Sequence, residues 1–182
     1  MKPVIHIFGA SGSGTTTLGR ALAQALGFTP MDSDDYYWLP VEPAYSQKRE
    51  IPERLRLMNR DIDAAPHGVV LSGSLVDWGD PLLGRFTLAV RLVTDTELRV
   101  KRLRAREYAQ FGESIRPGGS RYEEHEAFLA WAARYDTGDI HMRSRANHDA
   151  WQRKLACPLL VLNGADRVEE NVALVIQTMR EK

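Results

Sequence analysis

A glycine-rich stretch near the start of the chain limits the folds that this sequence can adopt. Residues 9–16 read GASGSGTT, and the apolar run Val4–Phe8, which predicts a buried strand, directly precedes them. After the glycines, Leu18, Leu22 and Ala25 recur at the spacing of an amphipathic helix. When a strand, a glycine loop and a helix follow one another in this order, an anion can bind at the loop. Backbone N–H groups and the positive end of the helix dipole then surround it.

The rest of the chain alternates short apolar runs with helical patterns. Further strands are predicted at Phe28–Met31, Val69–Leu71, Phe86–Val93 and Leu159–Leu162. Helices are predicted at Pro52–Ala64, Thr96–Phe111, Glu123–Tyr135, Asn147–Leu155 and Val168–Met179. Strands that alternate with helices favour a parallel sheet covered on both faces. We therefore predict a three-layer α/β/α sandwich with a parallel five-stranded sheet, as a single domain over residues 1–182.

Composition excludes several classes of partner. The 24 Lys and Arg residues balance 24 Asp and Glu residues, and this neutral sum argues against a nucleic-acid partner. No apolar run approaches the ~20 residues of a membrane span, and the first apolar stretch is too short for a signal peptide. The single cysteine, Cys157, excludes an internal disulfide and is expected to pack as a small hydrophobe. We therefore predict a cytoplasmic protein without a membrane partner.

The glycine stretch matches the phosphate-binding pattern G-x-x-x-x-G-K-[ST] with one departure. Gly9 and Gly14 have the required spacing and Thr16 occupies the metal-binding hydroxyl position, but Thr15 stands where lysine is usual. A glycine turn that only connects a strand to a helix is the alternative, and the strand before it and the helix after it favour phosphate binding. The residues predicted to bind the nucleotide are Gly9, Ala10, Ser11, Gly12, Ser13, Gly14, Thr15, Thr16 and Thr17, with Thr16 also on Mg²⁺.

The segment GASGSGTTTLGRALAQALG resembles the P-loop of the nucleoside monophosphate kinase group, which includes the adenylate, cytidylate, shikimate and gluconate kinases. Some cytidylate kinases similarly carry GSGTTT, with Thr in place of Lys. The resemblance implies a P-loop NTPase fold with a short lid at about residues 112–122 and an acceptor-binding region at about residues 32–66. It also implies ATP and Mg²⁺ as cofactors. Because Thr15 carries no charge, an arginine from elsewhere would have to neutralise the β- and γ-phosphates.

The helix predicted at Thr96–Phe111 carries the pattern L-x-x-x-R-x-x-x-R of this kinase group at residues 98–106. By resemblance, Arg102 stacks near the adenine and Arg106 approaches the phosphates. Positions four residues apart share a helix face, which agrees with a common ligand. A charged face in solvent is the alternative, and we expect it for three other basic residues of this helix: Arg99, Lys101 and Arg104.

Further arginines follow the expected lid. Arg116 and Arg121 lie in the glycine-rich segment itself, and a lid that closes excludes water from the reaction. Arg143 and Arg145 flank Ser144 and resemble the arginine pair that this kinase group carries after its lid. We predict that Arg143 and Arg145 join Arg102 and Arg106 in taking up the charge that develops during transfer.

Acidic residues cluster where the second predicted strand ends. Asp32, Asp34 and Asp35 lie at the sheet edge where ligands of parallel sheets bind. The pattern D-x-D resembles that of shikimate and gluconate kinases, which implies that Asp34 receives or orients the acceptor hydroxyl proton and that Asp32 helps hold Mg²⁺. The alternative is a helix cap and turn cluster, for which aspartate is common.

The third strand carries no acid, since Ser72 stands where adenylate kinases place an aspartate. Shikimate kinase-like proteins also have small residues here, which implies that Ser72, Gly73 and Ser74 line the acceptor pocket. The aromatic run 36–38 either floors that pocket or packs the following loop onto the core. Packing roles are expected for Trp78, Trp131, Trp151 and a buried His6.

These features together predict an ATP- and Mg²⁺-dependent phosphotransferase. The acceptor is either a nucleoside monophosphate or a small hydroxyl metabolite, and the sequence leaves both open. Two other classes remain: a nucleotide-binding regulator with little or no phosphotransfer, which loss of the lysine would suit, and an RNA-modifying protein, which the neutral charge disfavours.

Overall fold

Five parallel strands form the central sheet of the protein. The computed structural model describes residues 2–42 and 44–181. The strands are β1 (Val4–Gly9), β2 (Thr29–Asp32), β3 (Val69–Ser72), β4 (Leu88–Val93) and β5 (Leu159–Asn163). They lie in the order β2-β3-β1-β4-β5 and every pair is parallel, which confirms the predicted fold class.

Within the described residues, seven α-helices connect and cover the strands. They are α1 (Thr15–Leu26), α2 (Ser33–Tyr37), α3 (Ile51–Ala64), α4 (Thr96–Phe111), α5 (Tyr122–Ala133), α6 (Arg145–Gln152) and α7 (Val168–Arg180). Helix α2 was not expected, because the acidic cluster and first aromatics were assigned to a strand end and a loop. The Asp32 carboxylate caps α2 by accepting from the Asp34 N–H at 3.1 Å. Helix α4 has the predicted bounds, and the predicted ends of α3, α5, α6 and α7 lie within three residues of the observed ends.

The alternation of side chains along β1 divides the core into two layers. Ile5 and Ile7 are buried on one face against Leu22 of α1 and Val175 of α7. Phe8 is buried on the other face, in a cluster that includes α3 and α6. Trp78 and Trp151 belong to that second cluster, as expected of packing residues. None of the described helices has the length and apolar character that a membrane span requires.

Helices α4 and α5 pack side by side above the sheet and are joined by a short linker. Leu103 and Leu129 are buried between them, with Phe128 and Trp131 beside that contact. The linker contains a single 3₁₀ turn, Gly112–Ile115, so the segment expected to form the lid connects two helices that contact each other.

Two histidines are buried without charge in the core. His6 hydrogen bonds through Nδ1 to the Leu71 carbonyl oxygen at 3.2 Å and stacks on Phe8, as expected of a core residue. Burial lowers the pKa of His6 to about 3, and burial also lowers the pKa of His148 to about 3. In the unfolded chain these histidines bind a proton with an ordinary pKa of about 6.5. Their contribution to the free energy of unfolding is therefore fully present above about pH 6.5 and is lost as the pH falls toward 3.

We therefore expect His6→Gln to weaken the acid sensitivity of the fold. Between pH 7 and pH 5 the wild-type free energy of unfolding should fall by about 2 kcal/mol more than that of His6→Gln, because only the wild type must protonate His6 on unfolding. Urea denaturation at the two pH values measures this difference. His67→Gln, at an exposed histidine, is the control and should keep the wild-type pH dependence. An unchanged pH dependence in His6→Gln would contradict a neutral buried His6.

Candidate active site

The glycine loop between β1 and α1 has the backbone of an anion-binding loop. Gly12 has φ = 80° and Gly14 has φ = 102°, a region that side chains with a Cβ rarely adopt. Helix α1 begins at Thr15 without a side-chain cap, so its first N–H groups have no partner within the helix and point into the loop. Free N–H groups and a helix dipole at one point favour phosphate.

A fully buried arginine fixes the tip of this loop. Arg99 is 0 % exposed, and its guanidinium donates to the carbonyl oxygens of Ser11 at 3.4 Å and Ala132 at 3.1 Å. It also pairs with Asp136 at 3.1 Å. A Cβ on Gly12 would lie 2.6 Å from the Arg99 carbonyl oxygen, so the loop and α4 are in direct contact. The expectation of a solvent-exposed Arg99 is therefore wrong, whereas Lys101 and Arg104 are exposed as predicted.

The side chains expected to hold the metal lie together at the carboxyl ends of β2 and β3. The Thr16 hydroxyl donates to Asp32 Oδ2 at 2.7 Å, and Ser72 Oγ lies 3.5 Å from the same oxygen. The strand register explains this contact, because it pairs Asp32 directly with Ser72. Hydroxyl and carboxylate oxygens are the ligand types that suit Mg²⁺. The described residues contain no cluster of three or more His, Cys, Asp or Glu side chains that could hold a metal without further ligands.

Asp34 lies at the start of α2, exposed within the same cleft. Although the Asp34 side chain is open to the cleft, desolvation by the surrounding walls raises the pKa of its carboxyl, the charge of Arg143 opposes that rise, and Asp32 adds to it. Arg106 also opposes the rise. The Asp34 carboxyl is thus within electrostatic reach of two of the predicted arginines. A base needs such neighbours when negative charge develops beside it during the reaction.

Of the four arginines predicted to take up charge during transfer, not all line the cleft. Arg102, Arg106 and Arg143 line the cleft. Arg102 donates to the Gly164 carbonyl oxygen at 2.9 Å and lies 3.9 Å from where a Cβ on Gly14 would be, beside the phosphate loop. Arg145 is not among the residues that line the cleft and instead donates to Asp136 at 2.6 Å. The structure therefore brings three of the four together.

The linker between α4 and α5 contributes one arginine to the cleft. Arg121 lines it and lies 3.9 Å above the Phe111 ring, while it pairs with Glu124. Arg116 lies over Tyr108 instead and is not part of the cleft lining. Among the lid arginines, only Arg121 faces the place where a ligand would bind.

The aromatic residues divide between the cleft and the core. Trp38 lines the cleft, whereas Tyr36 donates to Asp61 at 2.8 Å and Tyr37 packs at the edge of the core. Trp131 was expected only to pack, but it also lines the cleft, with Arg143 5.8 Å above its ring. An arginine over an aromatic face binds by a cation–π contact, which holds Arg143 toward the cleft.

The groups that line this cleft enclose a volume of about 970 Å³. Residues of the glycine loop line it together with Thr16 and Asp32, and Asp34, Arg143, Gly73 and Ser74 line the same cavity. Arg20 also lines the cleft and carries its positive charge near Asp35, although no sequence motif marks it. The cavity is large enough for two bound molecules of modest size.

Comparisons with known proteins agree with this architecture. A Bacillus subtilis (strain 168) protein, "Uncharacterized protein YqaC", is 43 % identical over 176 residues, which cover 97 % of both chains. The shikimate kinase of Bacteroides thetaiotaomicron has a similar structure, with a TM-score of 0.59 at 18 % identity over 98 % of both chains.

Two further solved structures have the same fold. The shikimate kinase of Acinetobacter baumannii in complex with shikimate gives a TM-score of 0.57 at 18 % identity, over 100 % of this chain and 94 % of that one. A sugar kinase from Janibacter sp. HTCC2649 gives 0.53 at 14 % identity, over 97 % of this chain and 94 % of the other. No protein-family profile matches this chain. The fold of this chain is therefore the P-loop α/β fold of these shikimate kinase structures.

Proposed function

Because the chain belongs to the family of the Bacillus subtilis protein YqaC and has the fold of small-molecule P-loop kinases, we propose that it transfers the γ-phosphoryl group of ATP to a small hydroxyl-bearing metabolite. One observation carries this proposal: a phosphate loop, an oxygen-ligand pair suited to Mg²⁺ and an aspartate of raised pKa face the same cleft. Phosphoryl transfer needs these three parts in one cavity.

The phosphate loop binds the nucleotide in this proposal. The backbone of Gly9–Thr16 surrounds the phosphates, while Thr16 and Asp32 hold Mg²⁺ directly or through water. A bound Mg²⁺ would neutralise charge on the phosphate oxygens. The Thr16 hydroxyl donates to Asp32. It would keep this hydrogen bond while its oxygen lone pairs bind the cation.

Arginines supply the positive charge that Thr15 lacks. Arg102 is held beside Gly14 by its bonds to Ser13 and Gly164, so its guanidinium lies next to the loop position where lysine is usual. A guanidinium forks onto two phosphate oxygens, which a single ammonium does not do. Arg106 and Arg143 reach the region of Asp34 and stabilise the charge of the transferred group. Arg145, bound to Asp136, would serve only after a rearrangement of that pair.

The acceptor binds between Asp34 and the end of β3. Asp34 accepts the proton of the attacking hydroxyl, and the D-x-D spacing with Ser72 in place of an acid supports a hydroxyl metabolite over a nucleoside monophosphate. Trp38 and Trp131 form aromatic walls of the same cavity. A sugar or a hydroxy acid offers the hydroxyl that Asp34 needs and an apolar ring or chain face for these walls.

Transfer of labelled phosphate from ATP to a panel of acceptors tests this function. The panel contains shikimate, gluconate, glycerate, glucose, CMP and AMP, each with and without Mg²⁺. We expect Mg²⁺-dependent transfer to a hydroxyl compound. Transfer to CMP or AMP alone would overturn the acceptor class, and ATP binding without transfer to any compound would favour a nucleotide-binding regulator.

Thr16→Val should remove the effect of Mg²⁺ on ATP binding. Valine keeps the shape of threonine but lacks the hydroxyl that faces Asp32. In the wild type, Mg²⁺ and ATP at about 100 Kd should raise stability by about 2.7 kcal/mol, and thermal unfolding measures this gain. In Thr16→Val the gain should no longer depend on Mg²⁺, whereas Thr178→Val on α7 should respond as the wild type does. A full Mg²⁺ response in Thr16→Val would refute the metal site.

A further inference from the structure

A chain of buried polar side chains leads from the core to the cleft at Ser74. Ser74 Oγ lies 3.0 Å from His148 Nε2, and His148 Nδ1 lies 2.7 Å from the Tyr135 hydroxyl. His148 is 0 % exposed, and Ser74, which lines the cleft, is 4 % exposed. The guanidinium of Arg91 lies beside Tyr135 and is itself paired with Asp149. The metal and phosphate ligands proposed above do not use this chain.

The chemistry of the four groups sets the direction of the hydrogen bonds. A guanidinium can only donate, so Arg91 faces a lone pair of the Tyr135 oxygen. Among the described hydrogen bonds, the single acceptor open to the Tyr135 proton is Nδ1 of His148. A neutral imidazole that accepts at Nδ1 carries its proton at Nε2 and donates there. His148 therefore donates to Ser74 Oγ.

The hydroxyl proton of Ser74 is consequently not used in the hydrogen bond with His148. A hydroxyl that accepts from a histidine keeps its own O–H as a donor, and no described hydrogen bond takes that proton within the protein. Burial, and then the positive charges of Arg143 and Arg91, lower the pKa of His148 to about 3, so the ring stays neutral and its donor role is fixed. A chain of hydrogen bonds that ends at a guanidinium also polarises its last O–H.

Arg143 connects this chain to the proposed catalytic base. Its charge acts on both His148 and Asp34, and Arg143, Ser74 and Asp34 all line the same cleft. A molecule bound in this cleft with a hydroxyl at Asp34 therefore also has Ser74 in the wall of its binding cavity.

We propose that Ser74 is a specificity-determining hydrogen-bond donor, oriented by His148 and Tyr135, for an anionic or carbonyl oxygen of the acceptor. The inference rests on the proposed function and narrows its substrate class to hydroxyl compounds that also carry a carboxylate, carbonyl or phosphate oxygen. His148 and Tyr135 are positioning residues, since neither reaches the acceptor. An acceptor that offers no lone pair at this position leaves the Ser74 proton unpaired, which is costly, and an anionic oxygen accepts that proton more strongly than a neutral hydroxyl oxygen does.

The first test measures the tautomer of His148 by ¹⁵N NMR of the free protein. We expect the Nε2–H tautomer in the wild type, with no titration between pH 5.5 and pH 8. Tyr135→Phe should lose this preference because Nδ1 has no donor left, whereas Ser74→Ala should retain it. A wild-type Nδ1–H tautomer, or a tautomer that follows Ser74 rather than Tyr135, would overturn the direction of the chain.

The second test separates binding from turnover. The substrate is the panel compound that the wild type phosphorylates fastest. Ser74→Ala should raise the KM for that acceptor about 10- to 100-fold with the KM for ATP unchanged, and Tyr135→Phe should shift it in the same direction by less. Ser74→Thr, which restores a hydroxyl, should recover part of the loss.

The two tests separate failure of this inference from failure of the proposed function. An unchanged acceptor KM in Ser74→Ala, or a fastest substrate without any carboxylate, carbonyl or phosphate oxygen, would overturn the role of Ser74 while leaving the kinase intact. If the wild type phosphorylates no panel compound, the proposed function and the acceptor-binding role of Ser74 both fail, and the NMR result then stands only as a measure of the hydrogen-bond direction.

Discussion

Asp34→Asn is expected to lower kcat for phosphoryl transfer by about 10²–10⁴-fold while leaving ATP binding intact. The asparagine side chain keeps the size of the carboxyl but accepts no proton from the attacking hydroxyl. The cap of α2 depends on the Asp32 carboxylate and the Asp34 backbone N–H, so the local fold does not require the Asp34 charge. Steady-state kinetics with the acceptor found in the panel, together with ATP-induced thermal stabilisation, measures both quantities.

Asp35→Asn is the matched control for this variant. Asp35 is the next residue of the same helix, also has a pKa raised by burial, and carries no role in the proposal. We expect its turnover to stay within a few-fold of the wild type. Equal turnover in Asp34→Asn and the wild type would reject Asp34 as the base.

The pH dependence follows from the raised pKa of Asp34. The base is active as the carboxylate, so activity is present above its pKa and is lost as the pH falls through it. Because burial raises the pKa of Asp34, the acid limb of kcat/KM should lie at higher pH than the ordinary value of a free aspartate, near 3.9. Asp34→Asn should remove this limb along with the activity.

Local patterns were sufficient to predict the parallel strands and the glycine loop between β1 and α1. The strand at the start of the chain, the glycines at 9, 12 and 14 and the helix from Thr15 are adjacent in sequence, so periodicity and turn chemistry determine them together. The contact between Thr16 and Asp32 also follows from topology, since parallel strands bring their carboxyl ends to one edge.

Local sequence patterns could not predict the contacts between segments that are distant in the chain. Ser74 and His148 are 74 positions apart, and only the packing of α6 on the sheet brings them together. Arg145 and Arg143 look equivalent in sequence, but Arg145 begins α6 and meets Asp136, whereas Arg143 precedes the helix and lies over Trp131. Which of two nearby arginines faces a cleft depends on the partner that each finds in space.

Arg99 illustrates the same limit most clearly. On a helix rich in arginine its position suggested a solvated face, because sequence periodicity on α4 marks only a weak apolar stripe. The pairing of α4 with both the phosphate loop and α5 instead surrounds Arg99 with carbonyl oxygens from three segments. A buried charge requires such partners. Arg99 can be buried because Thr94, Ser11 and Ala132 present carbonyl oxygens that accept from its guanidinium.

Arg99→Met should therefore destabilise the protein by about 3–5 kcal/mol, because the carbonyl oxygens of Thr94, Ser11 and Ala132 lose their donor, at roughly 1–3 kcal/mol for each polar group left unsatisfied. Methionine fills part of the space but donates to none of the carbonyl oxygens that Arg99 now satisfies. The urea midpoint should fall accordingly with a similar slope. ATP affinity of the remaining folded protein should fall as well, because Ser11 and Gly12 lose the group that holds the loop tip.

Arg104→Met on the same helix isolates the effect of burial. Arg104 pairs with Glu126 at the surface, and exposed pairs of this kind contribute at most about 1 kcal/mol. A difference of several kcal/mol between the two variants would show that the contact of α4 with the phosphate loop stabilises the fold as well as the site. Equal midpoints would mean that the loop tip is held by its backbone alone, and Arg99 would then have no part in positioning the phosphates.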